Sequence, residues 1–219
     1  MFNRYFKQRT TLRRDEVFKS KNVILSGWNS KDIKPGWGSW MNCDYNEQKK
    51  ALLDRYIDFD DAVKKQVEEM VVKINPEACL GLYLRGTDYI KQRPLGHPVQ
   101  PTLADVRDEV ERIMREEGLK RIFLVSEDAA MRQDVEIAFG DIVQTIDGDI
   151  QFQDDGQSIR KVIEKNMDIN DANMIYLVKM ILLAKCHSFV GGRTNGSMFS
   201  CALNGGTYKQ RYIYDRGYY

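Results

Sequence analysis

Two rhythms of apolar residues alternate along the chain from about residue 60 onward. Val63, Val67, Met70, Val71 and Ile74 recur at helical spacing, and Asn75-Pro76 stops that helix. Cys79 to Leu84 is then a short unbroken apolar run, the signature of a parallel strand buried on both faces. The next helix begins at Thr102, with Asp105 three residues on as an approximate capping box. Leu103, Val106, Val110 and Ile113 form its buried stripe, and Gly118 ends it. A second strand, Ile122 to Val125, delivers Ser126-Glu127-Asp128 at its carboxyl end. A helix over Ala129 to Phe139 follows, then Gly140 and a third short strand at Ile142 to Thr145. Beyond a polar, irregular stretch over 147–168, a helix runs from about Ala172 to Lys185, with Met174, Leu177, Val178 and Ile181 on one face. A strand at Ser188 to Val190 enters a glycine-rich turn, and a short helix starts near Asn195. This alternation predicts an α/β fold, a Rossmann-like parallel sheet with helices on both faces.

Upstream the pattern fades. Residues 1–20 are basic and weakly patterned, Asn22 to Ser26 reads as one strand, and Gly27 to Asp44 as a long Gly- and Trp-rich loop. The chain thus divides into an N-terminal remnant or linker over 1–58 and a Rossmann-like domain over 59–219. Nothing at the start resembles a capped first element, as expected where the first half of a protein lies elsewhere. Composition changes this picture little: 30% charged and 42% hydrophobic residues are ordinary for a soluble globular chain. Lys+Arg 33 against Asp+Glu 32 leaves a net charge of +1, so no global field draws the chain to nucleic acid, and any anion site must be local. The longest apolar run, Met174 to Ala184, contains Lys179 and is too short to span a bilayer. Residues 1–14 lack an apolar signal core. Cys43, Cys79, Cys186 and Cys201 form no CxxC and no framework spacing, which points to free thiols in a cytoplasmic setting, with peripheral membrane association left open.

Chemistry concentrates at two strand ends. Arg85 is the first charged residue after the Cys79–Leu84 run, followed by Gly86, Thr87 and Asp88 and a Pro- and Gly-punctuated loop carrying His97. Ligands of open α/β sheets bind beyond the carboxyl ends of strands, where a guanidinium fork suits phosphate. The alternative is a structural pair between Arg85 and Asp88. In the turn after Val190, Gly191, Gly192 and Gly196 permit close backbone approach, while Arg193, Thr194, Asn195 and Ser197 supply donors. With a helix start behind them they could cradle a phosphate; the alternative is a plain turn with Thr194 or Asn195 as N-cap. The turn is neither a Walker A loop nor a GxGxxG fingerprint. Asp147-Gly148-Asp149, with Asp154-Asp155 nearby, reads as a solvated acidic loop, so no metal is expected. Cys186-His187 reads as core packing, and His97 as either a surface histidine or one facing a substrate.

Three segments together resemble a family. LGLYLRGTDY resembles the arginine motif of the GDP-fucose-dependent fucosyltransferase superfamily, which spans α-1,6-, α-1,2-, nodulation and protein O-fucosyltransferases. IFLVSEDAAMRQDVEIAFGD resembles the strand and acidic turn that follow there, and ILLAKCHSFVGGRTNGSMFSCAL the last helix, strand and Ser/Thr-rich turn. The resemblance covers about residues 78 to 219, and YIYDRGYY also fits bacterial relatives in surface polysaccharide synthesis. It implies the C-terminal, donor-binding domain of a GT-B-like glycosyltransferase over 59–219, with an N-terminal acceptor domain missing. The implied donor is a nucleotide sugar, GDP-fucose, and the acceptor a glycan or polysaccharide hydroxyl. No metal or other cofactor is implied, and transfer inverts the anomeric centre. By position Arg85 would hold the β-phosphate, Thr194, Gly196 and Ser197 the pyrophosphate, and Glu127 or Asp128 would lie near the nucleoside. Tyr83 stands where the family often has a guanine-contacting histidine, and Lys179 where some members have an acidic base-reading residue. No carboxylate stands at the position some members use as acceptor base, which leaves Asp88 and His97 as candidates. The rival reading is a non-catalytic nucleotide-sugar-binding or scaffolding module; an oxidoreductase or kinase lacks its phosphate fingerprint.

Overall fold

The structure is a computed structural model that describes residues 6–8, 46–86, 88–93, 95–146, 151–152, 163 and 168–219. The strand expected at Asn22 to Ser26, the loop over Gly27 to Asp44 and nearly all of the polar stretch 147–168 lie outside the described residues. Two short strands, β1 (Phe6–Gln8) and β2 (Ile57–Phe59), pair antiparallel, and α1 (Asn46–Tyr56) leads directly into β2. The helix α2 (Asp61–Ile74) starts on Asp60, whose side chain accepts from the Ala62 N–H, and ends at Asn75 in a left-handed conformation, φ 51°. Its buried positions Val63, Val67, Met70 and Ile74 are four of the five that the helical spacing picks out.

The unbroken apolar runs become the sheet. Strands β3 (Cys79–Tyr83), β4 (Arg121–Val125), β5 (Val143–Gln144), β6 (Ser188–Gly192) and β7 (Arg211–Tyr214) lie parallel in the order β5-β4-β3-β6-β7. Both β3 and β6 are buried at every residue, as the lack of alternation in their sequences requires. The connecting helices are α3 (Asp88–Gln92), α4 (Leu103–Glu116), α5 (Ala129–Phe139), α6 (Ile169–Ala184) and α7 (Asn195–Asn204). Thr102 and Asp105 form the capping box of α4. On one face α2, α6 and α7 cover Cys79, Tyr83, Phe123, Val125 and Phe189; on the other, α4 and α5 cover Leu80, Leu82, Ile122, Leu124 and Val190. The fold is therefore α/β, a Rossmann-like parallel sheet with helices on both faces.

Three boundaries move. The strand expected at 142–145 shrinks to two residues because a 3-10 turn, Gly140–Ile142, takes its first position. The helix α6 starts at Ile169, ahead of Ala172, because the Asp168 carboxylate caps the Asn170 N–H at 2.6 Å. Strand β6 continues through both glycines to Gly192, paired with β7. Among the described residues no helix is long and apolar enough to cross a membrane.

The strand order fixes where a ligand crevice can form. From β3 the chain winds outward through β4 and β5, then returns across β3 to continue through β6 and β7. The order reverses between β3 and β6, and this topological switch point opens a crevice at their carboxyl ends. Those ends carry the two chemistry-bearing segments of the sequence.

Candidate functional site

Register aligns three charged side chains along the carboxyl edge. Tyr83 of β3 is paired with Val125 of β4 and with Gly191 of β6. Glu127, Arg85 and Arg193 each stand two residues beyond that row. Arg85 Nε lies 3.3 Å from Glu127 Oε1, with the two side chains only 22% and 14% exposed. The Arg85 guanidinium also covers the Tyr89 ring at 4.3 Å, a cation–π contact. Arg193 pairs with Asp215 and lies over the Tyr218 ring at 5.8 Å.

Asp128, next to Glu127, N-caps α5: its Oδ1 accepts from the Met131 N–H at 2.9 Å. Gly86 makes room for it, since a Cβ at Gly86 would lie 2.4 Å from Asp128 Oδ2. Asp88 opens α3, and Thr87 lies outside the described residues. His97 meets the edge of Tyr89 at 5.1 Å between ring centroids, so His97, Tyr89 and Arg85 follow one another in contact. The loop carrying His97 is held by the end of the chain: Gly96 N–H donates to Tyr219 O, Tyr219 N–H to His97 O, and Val99 N–H to Gly217 O.

The turn after β6 is a tightly satisfied N-cap. Thr194 Oγ1 accepts from the Ser197 N–H at 3.1 Å, and the Ser197 hydroxyl donates to Gly192 O. Both hydroxyls are buried and serve the turn itself. The N–H groups of Asn195 and Gly196, the first two of α7, are the ones that helix geometry leaves without an intrahelical acceptor. The glycines admit the protein's own atoms: a Cβ would fall 2.8 Å from Tyr83 O at Gly191 and 2.3 Å from Gln100 Oε1 at Gly192. At Gly196 it would fall 2.5 Å from Tyr176 Oη and 2.9 Å from Tyr83 Oη. Two phenol hydroxyls therefore converge on the start of α7.

Beside them a cavity of about 160 Å³ opens between the ends of β3 and β4 and the first half of α6. Tyr83, Arg85, Glu127, Tyr176 and Lys179 give it polar groups; Val125, Phe152, Ile163, Ala172 and Ile175 give it apolar walls. Tyr83 is 1% exposed, and the Tyr176 hydroxyl is the polar neighbour with which its own hydroxyl interacts. Burial, first of all, pushes the Tyr83 phenol well above its usual pKa and raises that of Tyr176, so both keep their protons at neutral pH. Of these lining residues the sequence points to Tyr83, Arg85, Glu127 and Lys179 but not to Tyr176 or Ile175. The four α6 residues stand at 172, 175, 176 and 179, one helical face. Among the described residues no three His, Cys, Asp or Glu side chains are grouped to hold a metal, while the Asp147-Gly148-Asp149 and Asp154-Asp155 segments lie outside them.

An open parallel sheet with helices on both faces and a switch point between β3 and β6 defines the Rossmann-like α/β class. No family model and no curated protein matches the chain. Among solved structures it is similar to NodZ alpha-1,6-fucosyltransferase soaked with GDP-fucose, at 16% identity and TM-score 0.44, covering 72% of this chain and 47% of that one. The fucosyltransferase NodZ from Bradyrhizobium is similar at 15% identity and TM-score 0.41. POFUT1 in complex with GDP-fucose is similar at 10% identity and TM-score 0.49, over 77% of this chain and 49% of that one. The chain spans about half the length of the solved structures it matches.

Proposed function

We propose that the chain binds a nucleoside-diphosphate sugar across the β3–β6 switch point and acts as the donor half of an inverting, metal-independent glycosyltransferase. One observation carries the reading. Arg85 and the start of α7, which the sequence picks out separately, stand at the carboxyl ends of the two adjacent strands where the sheet order reverses. The motif resemblance implies GDP-fucose as the donor and a glycan or polysaccharide hydroxyl as the acceptor. In this reading the diphosphate lies between the Arg85 guanidinium and the N–H groups of Asn195 and Gly196. Asn195 and Arg193 add side-chain donors, and Thr194 and Ser197 hold the turn. Glu127 orients Arg85, while Asp128 and Gly86 hold the neighbouring turn on the nucleoside side. The buried free thiols of Cys79, Cys186 and Cys201 fit a reducing, cytoplasmic setting.

The chemistry needs charge neutralisation at the leaving group. As the acceptor oxygen bonds to the anomeric carbon, the bond from that carbon to the diphosphate breaks and negative charge passes to the nucleoside diphosphate. A preorganised donor such as Arg85 is worth about 3 kcal/mol there, roughly a hundredfold in rate. The acceptor proton goes to His97 or Asp88, both on the segment after β3.

A second reading is a non-catalytic nucleotide-sugar-binding module, since one five-stranded sheet carries both chemistry-bearing segments. Thermal shift and calorimetry against nucleoside diphosphates, with and without EDTA, test the common core. Melting should rise with a nucleoside diphosphate and stay raised in EDTA. Loss in EDTA would overturn metal independence and return attention to Asp147 and Asp149; no rise with any nucleotide would overturn the binding itself. Sugar transfer by the 219-residue chain would exclude the module reading.

A further inference from the structure

The start of α7 is held from another segment by one buried side chain. Gln100 lies between Pro98 and Pro101 on the loop that carries His97, and it is only 3% exposed. Its amide nitrogen donates to Pro98 O at 3.0 Å and to Arg193 O at 3.1 Å. We infer that Gln100 is a positioning residue for the diphosphate. It fixes the peptide that enters α7, and so the direction in which the Asn195 and Gly196 N–H groups point. This rests on the nucleotide-binding reading above.

The bonds of the turn itself leave that peptide to Gln100. The Ser197 hydroxyl donates to Gly192 O, the Ser197 N–H to Thr194 Oγ1 and the Met198 N–H to Thr194 O, all within residues 192–198. The Arg193 N–H donates to Tyr214 O beside it on β7. The Arg193 carbonyl is taken by the Gln100 amide. Rotation of the peptide between Arg193 and Thr194 would swing the N-cap, and the first turn of α7 with it. Hydrogen bonds weaken steeply off line, so a modest rotation lowers the grip of a helix start on phosphate.

The surrounding residues suit this contact. A Cβ at Gly192 would stand 2.3 Å from Gln100 Oε1 and 2.7 Å from Pro101 Cδ, so only glycine leaves the amide its place. The prolines at 98 and 101 restrict the backbone on either side of Gln100, which preorganises the side chain. Burying an amide costs free energy that its hydrogen bonds to Pro98 O and Arg193 O offset. Gln100 belongs to neither hydrophobic cluster of the sheet, so its contact is with the turn and not with the core. Pro98 follows His97, and the same amide therefore ties the diphosphate cradle to the loop of a candidate acceptor base.

Calorimetry on the whole chain, with GDP, pyrophosphate and guanosine as ligands, tests the inference. Gln100→Met keeps the length of the side chain and removes its amide; Gln100→Ala removes the side chain outside both cores. Either variant should bind GDP and pyrophosphate about five- to tenfold more weakly, with guanosine affinity unchanged. Val99→Ala, one residue away, should leave all three affinities at the wild-type level. GDP and pyrophosphate affinities unchanged in both Gln100 variants would overturn the inference while leaving nucleotide binding intact. So would an equal loss on guanosine, the mark of a merely structural residue, or an equal loss in Val99→Ala. Failure of GDP and pyrophosphate to bind the wild-type chain would overturn the nucleotide-binding reading, and the inference with it.

Discussion

Replacing Arg85 by lysine separates phosphate binding from mere structural pairing. The substitution keeps the positive charge but removes the planar fork that engages two oxygens at once. In the structure Arg85 is held by contacts that include the 3.3 Å ion pair with Glu127 and the Tyr89 ring 4.3 Å from the guanidinium centre. A lysine ammonium can still meet the Glu127 carboxylate, so most of the pair's Coulomb energy survives. The ring contact weakens, because stacking favours a flat cation. Partly exposed contacts of this kind are worth about 0.5–1 kcal/mol. The unliganded protein should therefore lose no more than about 1 kcal/mol of stability.

The loss on phosphate should be larger. Charge-assisted hydrogen bonds contribute about 1.5–3 kcal/mol, and the bidentate form depends on the fork. Affinity for a nucleoside diphosphate should drop between about tenfold and a hundredfold in Arg85→Lys, with affinity for the bare nucleoside nearly unchanged. Isothermal calorimetry on wild type and variant, with the two ligands in parallel, reads the difference directly. Equal losses on both ligands would refute the phosphate role. So would a fall in melting temperature with diphosphate affinity intact, which would make Arg85 a structural strut.

Two other perturbations probe the same edge of the sheet. In Gly196→Ala the new Cβ would stand 2.5 Å from Tyr176 Oη and 2.9 Å from the buried Tyr83 Oη, so overpacking of about 1–3 kcal/mol should outweigh the helix-propensity gain of about 1 kcal/mol. Urea denaturation should show a net loss that Tyr176→Phe partly restores; a stabilised Gly196→Ala would mean that the hydroxyls are not held there. Asp105 has its pKa lowered by the Thr102 N–H and hydroxyl, helped by Arg216. Its contribution should be full above the unfolded carboxylate value of about 3.9 and vanish as pH falls through the lower folded value. The stability gap between wild type and Asp105→Asn should accordingly close in acid, and a gap that persists there would show that the carboxylate's charge is not what matters.

What was legible in the sequence follows burial. β3, β4 and β6 are nearly closed to water on both faces, so their sequences read as uninterrupted apolar runs with chemistry at the carboxyl ends. β7, Arg211–Tyr214, is half-exposed at the sheet edge and carries tyrosines instead of a continuous apolar run, which left it unmarked. α1 is mostly polar and buries only Asn46, so no stripe announced it. Arg85 was visible because a charge ends an apolar run. Its pairing with Glu127 becomes visible only once β3 and β4 are placed side by side in register. The cavity wall on α6 was hidden for another reason. From Leu177 to Ala184 that helix is buried on every side, so periodicity gave no sign that Tyr176 and Lys179 faced a space while Leu182 and Leu183 faced the core.

A missing side chain on β3 lets the end of α6 pack closely on the sheet. Gly81 is the middle residue of that strand, and a Cβ there would lie 3.1 Å from both Cys186 Sγ and Leu183 Cδ2. The absent methyl lets the end of α6 settle against the sheet, where Cys186 and Leu183 are buried. Two residues further along β3 the opposite occurs: Tyr83, on the same face as Gly81, is the largest side chain buried on that strand. The cavity lies at the other end of α6, between Tyr83, Tyr176 and Lys179. The order Gly81-Leu82-Tyr83 thus places the close contact under the end of α6 and a large side chain in the cavity wall beside Arg85.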